Sequence, residues 1–180
     1  MVVMNDDNLA YTCRSLRNLC FQPDKRFVHE RLGWNYRMTN MQAALGVAQL
    51  EKIDRTVNKK RETGKAYNNL LKDIEYINLP LDKTEYCNNI YWAYTIVLSD
   101  EYEKNAKQIM KMISKYEIGT RPFFYPMHLQ PVLNKLGLLK KESYPVSENL
   151  YLNGFYLPSG LSLTENKINF ISETLYKILS

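Results

Sequence analysis

The chain has 180 residues, 45% hydrophobic and 24% charged, with a net charge of +5 from 24 Lys and Arg against 19 Asp and Glu. These are globular proportions. No apolar run reaches the roughly 20 residues that span a bilayer as a helix, the start MVVMNDDN lacks the pattern of a signal peptide, and no basic stripe carries the regular aromatics of a nucleic-acid surface.

The three cysteines, Cys13, Cys20 and Cys87, form no CxxC pair and stand apart from the two histidines, which speaks against a zinc centre. Scattered thiols fit a reducing, cytoplasmic setting. The short clusters Lys59-Lys60-Arg61 and Lys140-Lys141 read as solvated helix faces. A mildly basic chain also suits an anionic small ligand.

In chain order, VVMN reads as the end of a strand and Asn5 as a helix cap, with Asp6 and Asp7 favourable at the positive end. Leu9, Cys13, Leu16 and Cys20 form a helical stripe that places Cys13 in a core. One short strand and one helix bury little, so this opening reads as the tail of something larger. Residues 21–38, FQPDKRFVHERLGWNYRM, form a loop long enough to be functional.

Thr39 and Gln42 have the spacing of a capping box. Ala43, Val47, Leu50, Ile53 and Val57 continue as one apolar stripe, which Tyr67, Leu70, Leu71 and Ile74 resume. Residues 39–74 therefore read as one long helix or two nearly continuous ones. IEYINLP reads as a short strand, and the alternation in NNIYWAYTIVLS as a central one, with Trp92, Tyr94, Ile96 and Leu98 sharing a face.

An amphipathic helix follows over 102–116, then a strand leading into a proline-rich bend in IGTRPFFYPMH. Short helices stop at Gly137 and Gly154, FYLPSG is a last strand or extended turn, and Thr164 caps a final helix. This order implies an α/β fold with helices on a short, mostly antiparallel sheet.

The polar candidates are His29, Arg31, Asn35, Tyr36, Arg37, Arg121, Tyr125, His128 and Ser159. No Ser/His/Asp set and no GxxxxGK loop accompanies them. Asn35 and Arg37 precede a helix N-terminus, where backbone donors favour anions and a guanidinium can grip a phosphate. The alternative is an Arg37–carboxylate pair with Asn35 capping a turn. In TRPFFYPMH, Pro122 and Pro126 stiffen a segment whose Phe123, Phe124 and Tyr125 can line a ring-binding wall. The alternative there is aromatic core, with His128 satisfied at a helix start.

GWNYRMTNMQAALGVAQLEKID, TRPFFYPMHLQP and YPVSENLYLNGFYLPSGLSLTENKI together resemble the DegT/StrS-type nucleotide-sugar aminotransferases, and among them the perosamine synthase-like enzymes. MVVMNDD fits a strand of the same family, so the resemblance runs the length of the chain. It implies the aspartate aminotransferase fold and pyridoxal 5'-phosphate (PLP) as cofactor. It also implies homodimers and amination of a nucleotide-linked keto-deoxysugar for cell-surface polysaccharide, with glutamate as amino donor.

By the same resemblance, residues 1–38 end the large cofactor domain and supply an interface loop. Residues 39–74 are the connecting helix, and 75–180 the small C-terminal α/β domain. Asn35, Tyr36 and Arg37 are then expected at the partner subunit's PLP phosphate, and His29, Arg121, Phe124, Tyr125 and His128 at the substrate. The family's Schiff-base lysine falls before Met1, so no catalytic residue is assigned and no transamination is expected of this polypeptide alone. The alternatives are a dehydratase relative, in which histidine replaces that lysine, and a non-catalytic interaction module with exposed apolar helix faces.

Overall fold

The alternating run Tyr94–Leu98 builds the centre of the sheet in the computed structural model, which describes residues 2–25, 27–139 and 142–179. The chain falls into two compact units, Met1–Lys52 and Ile53–Ser180. The first holds helices α1 (Asp7–Arg17) and α2 (Asn40–Leu50). The second begins with α3 (Ile53–Leu71). It continues β1 (Ile77–Asn78), β2 (Tyr94–Leu98), α4 (Ala106–Ser114), β3 (Arg121–Pro122), α5 (Pro131–Lys135), α6 (Pro145–Asn153), β4 (Gly154–Leu157) and α7 (Glu165–Leu179).

In the first unit, Asp6 rather than Asn5 caps α1, its carboxylate accepting Leu9 N–H at 2.8 Å. Residues 2–5 form no strand, because no strand among the described residues offers them a ladder. Cys13 is half-buried and α1 has no buried residue; Cys20 is the buried thiol.

The capping box at Thr39 and Gln42 is present in both directions. The helical run over 39–74 is two helices. At Lys52 the N–H reaches back only three residues, to Gln49 O at 3.2 Å, a tightened turn that ends α2. The apolar stripe of α2 is exposed at Val47 and Leu50.

In the second unit the sheet runs β1-β2-β4-β3, with every pair antiparallel. Tyr94, Ile96 and Leu98 of β2 and Phe155 and Leu157 of β4 point into one core. Ile109 and Ile113 of α4 and Ile168, Ile171 and Leu175 of α7 cover it, as their spacing requires. Asn105 and Gln108 close α4 with a second capping box.

Trp92 leaves the alternation. Tyr91 takes φ +48°, which buries its own ring and turns Trp92 out to 71% exposure. Lys60 also departs from expectation. It leaves the solvated face and donates to Trp92 O at 2.8 Å and Ser159 O at 2.6 Å, and burial lowers its pKa. Lys59 alone of that cluster lies in solvent, 3.8 Å from Glu62. Lys140 and Lys141 lie outside the described residues.

Tyrosines join α3 to the sheet. Tyr67 OH donates to Pro158 O at 2.9 Å and Tyr94 OH to Asn68 Oδ1 at 2.7 Å, while Tyr91 OH donates to Asp82. Burial, reinforced by Asp82, pushes Tyr91 up to about 12.

Gly64 lets Tyr91 in, since a Cβ there would stand 2.4 Å from its ring. Gly64→Ala should therefore destabilise this unit by about 1–3 kcal/mol through forced displacement of the ring. The urea midpoint of unfolding measures this, and an unchanged midpoint would show that the ring has room to yield.

Candidate functional site

The first group of candidate residues lies on a strap at the end of α1. Leu19 and Cys20, at φ +60° and +53°, reverse the chain. The segment around Trp34 then runs back antiparallel. Trp34 N–H donates to Leu16 O at 2.8 Å, Leu19 N–H to Trp34 O at 3.0 Å and Tyr36 N–H to Arg17 O at 3.0 Å.

Gly33 makes that approach possible: a Cβ would lie 2.6 Å from Cys20 N. His29 is fastened lower on the same strap, its Nδ1–H donating to Leu19 O at 2.7 Å.

Along an extended segment, alternate side chains share a side. Trp34 and Tyr36 accordingly stack, 6.2 Å apart and nearly parallel, and both are exposed. On the other parity, Arg37 Nε donates to Asn35 Oδ1 at 3.1 Å. Among the described residues Arg37 pairs with no carboxylate, and Asn35 spends its oxygen on orienting the guanidinium. Among the described residues no hydrogen bond or ion pair engages the two terminal amino groups of Arg37, which can face an anion.

The second group lies in the other unit. Arg121 stands opposite Tyr156 in the β3–β4 register, and Phe123 N–H donates to Gly154 O at 3.3 Å. Tyr156 is on the face of β4 away from the core residues Phe155 and Leu157. It takes Phe123 at 5.0 Å and the exposed Phe124 at 6.4 Å between ring centroids. Tyr125 meets Tyr151 of α6 edge-on at 5.0 Å.

His128 closes the array in a single 3-10 turn, Met127–Leu129. Its Nε2 lies 2.9 Å from Glu148 Oε1 and its ring 4.8 Å from that of Tyr144. Glu148 Oε1 also accepts Tyr144 N–H at 3.0 Å and Ser143 Oγ–H at 3.4 Å. The Tyr144 N–H bond first, and His128 second, hold the Glu148 carboxyl below its ordinary value.

Arg121, Phe124, Tyr125 and His128 are thus assembled in one unit, and His29, Asn35, Tyr36 and Arg37 in the other. Ser159 belongs to neither group; its carbonyl is taken by Lys60. Tyr151, Tyr156 and Glu148 escaped the sequence reading. The alternation in GFYL, which turns Tyr156 outward, and the four-residue step from Tyr144 to Glu148 were the available signals.

A family model described as the DegT/DnrJ/EryC1/StrS aminotransferase family matches residues 1–176. The chain belongs to this family. It is 34% identical over 174 residues to GDP-perosamine synthase of Vibrio cholerae, covering 95% of this chain and 46% of that protein.

Among solved structures it superposes on Helicobacter pylori PseC, an aminotransferase involved in the biosynthesis of pseudoaminic acid. The TM-score is 0.84 at 21% identity, covering 97% of this chain and 47% of that one. It also superposes on the Escherichia coli GDP-4-keto-6-deoxy-D-mannose-3-dehydratase with bound hydrated PLP. There the TM-score is 0.79 at 18% identity, covering 96% of this chain and 49% of that one. The fold is therefore part of the aspartate aminotransferase fold, and the chain spans about half the length of the relatives it matches.

The Glu148 contacts make one pH dependence explicit. A carboxyl whose folded pKa is depressed contributes stability that is present above its unfolded value and is lost as pH falls through the folded one. The carboxyl-carbon shift of Glu148 should titrate with a midpoint below the ordinary glutamate value of about 4.3. A midpoint at or above that value would show that the bonds to Tyr144 and His128 do not favour the charged form.

Proposed function

We propose that this chain supplies part of a PLP-dependent aminotransferase that aminates a GDP-linked 4-keto-6-deoxysugar, with glutamate as donor, on the way to a perosamine-type precursor of cell-surface polysaccharide. The observation that carries the reading is the Arg121–His128 segment. It sets a cation, an aromatic wall and a fixed histidine side by side, in a chain 34% identical to a GDP-perosamine synthase.

The donor set of the strap fits a phosphate. Arg37 is oriented by Asn35, carries no carboxylate partner among the described residues and is exposed beside Tyr36. In this reading Asn35, Tyr36 and Arg37 hold the PLP phosphate of a partner subunit in a homodimer. The exposed apolar side chains Met41, Leu45, Val47 and Leu50 of α2 support a covered rather than solvated role for that helix.

When bound, PLP supplies the electron sink through which an amino group passes between donor and keto-sugar. Phe124, Tyr125 and Tyr156 give the deoxysugar an apolar face to lie against and keep water from it. The Arg121 guanidinium is suited to the diphosphate. His128 is held by Glu148 at the end of the wall, and His29 stands on the strap. The active protein is proposed as a cytoplasmic enzyme in which this chain is joined to the rest of the fold.

The test uses that full-length protein with PLP, GDP-4-keto-6-deoxymannose and nitrogen-labelled glutamate. The expected product is a sugar nucleotide carrying the label. Loss of water from the sugar without incorporation of label would establish the dehydratase instead. In the same protein, Arg37→Ala should weaken PLP retention about 10- to 100-fold, the worth of one or two charge-assisted hydrogen bonds. Unchanged retention, read by dialysis and cofactor absorbance, would remove Arg37 from the phosphate site.

A further inference from the structure

We propose that Glu148 is the positioning residue of the aromatic wall, its carboxylate clamping the far end of the span that carries Phe124 and Tyr125. The consequence for substrate rests on the reading of that span as the sugar site.

The span is fixed at two ends. At the near end, the β3–β4 ladder holds Arg121 and Pro122, and Phe123 N–H bonds to Gly154 O. Between the ends, the backbone N–H groups of Phe124 and Tyr125 make no hydrogen bond among the described residues. Pro122 and Pro126 bracket this bare stretch and limit its freedom without tying it to anything.

At the far end, Leu129 N–H and Gln130 N–H close the 3-10 turn onto Pro126 O and Met127 O. The side chain that fastens this turn to α6 is His128, and it ends on Glu148 Oε1. That same oxygen accepts Tyr144 N–H at the start of α6, a helix whose first residue, Pro145, has no N–H to offer. Three residues on from Glu148, Tyr151 meets Tyr125 edge-on. One carboxylate oxygen thus sets both sides of the Tyr125–Tyr151 contact, the turn below Tyr125 and the helix end below Tyr151.

Two measurements on the full-length protein decide the matter. Hydrogen exchange at Leu129 and Gln130 should quicken about 10-fold or more in Glu148→Ala, with α7 unchanged. The KM for GDP-4-keto-6-deoxymannose should rise about 10-fold while kcat and PLP retention stay within about 3-fold, the split of a lost positioning contact. Glu148→Gln keeps an acceptor oxygen and should bring KM back to within about 3-fold of the wild type.

If Glu148→Ala loosens α7 as well, His128→Gln, which alters only the turn side of the clamp, is read by exchange at Leu129 and Gln130 alone. Unchanged exchange at Leu129 and Gln130 overturns the proposal. So does quickened exchange with unchanged KM, and so does a Gln variant as impaired as the Ala variant. A wild type that aminates no sugar nucleotide overturns the proposed function instead, and the exchange measurement still decides the clamp.

Discussion

The second unit depends on hydrogen bonding along both edges of β4. Only four residues long, Gly154–Leu157, this strand pairs with β2 on one side and β3 on the other. Its buried side chains, Phe155 and Leu157, join the core beneath α4 and α7. The chain leaves β4 directly into Pro158 and Ser159, whose carbonyls are taken by Tyr67 and Lys60 of α3. A strand so short has little intrinsic stability. It is held because both edges are paired, one face is buried, and its exit is tied to a helix almost a hundred residues earlier in the chain.

What could be read from the sequence followed from local rules. Helix periodicity placed α4 and α7 on the core, and the Thr39–Gln42 spacing marked the start of α2. Features set by distant partners were hidden. Lys60 looks like one of three cations on a solvated turn of helix until Trp92 and Ser159 present their carbonyls to it. Trp92 reads as sharing a face with Tyr94, Ile96 and Leu98 until Tyr91, in the left-handed region and against Gly64, shifts the parity by one. Asn5 lost the cap of α1 to its neighbour because both side chains suit it, and only the entry angle of the chain chooses between them.

The candidate sites divide in the same way. Arg37 and the 121–128 segment were visible because charge, aromaticity and proline crowd into a few residues. Their supports were not. Tyr151, Tyr156 and Glu148 come from the following helix and strand, and carry no chemistry of their own until the fold sets them behind the visible residues. In the first unit, Gly33 does comparable work. Its lack of a side chain brings the strap against Cys20, and so sets the direction in which Trp34, Asn35, Tyr36 and Arg37 leave the helix end.

The parity of β4 has a consequence for how such a protein can diverge. Phe155 and Leu157 turn to the core, while Tyr156 between them turns to Phe123 and Phe124. If the proposed sugar site is right, selection for a different sugar ring can act on the outward residue and its aromatic neighbours while selection for folding acts on the inward ones. One tetrapeptide thus carries two inheritances that mutate independently, which lets an ancestral scaffold of this kind diversify its chemistry without first surrendering its structure.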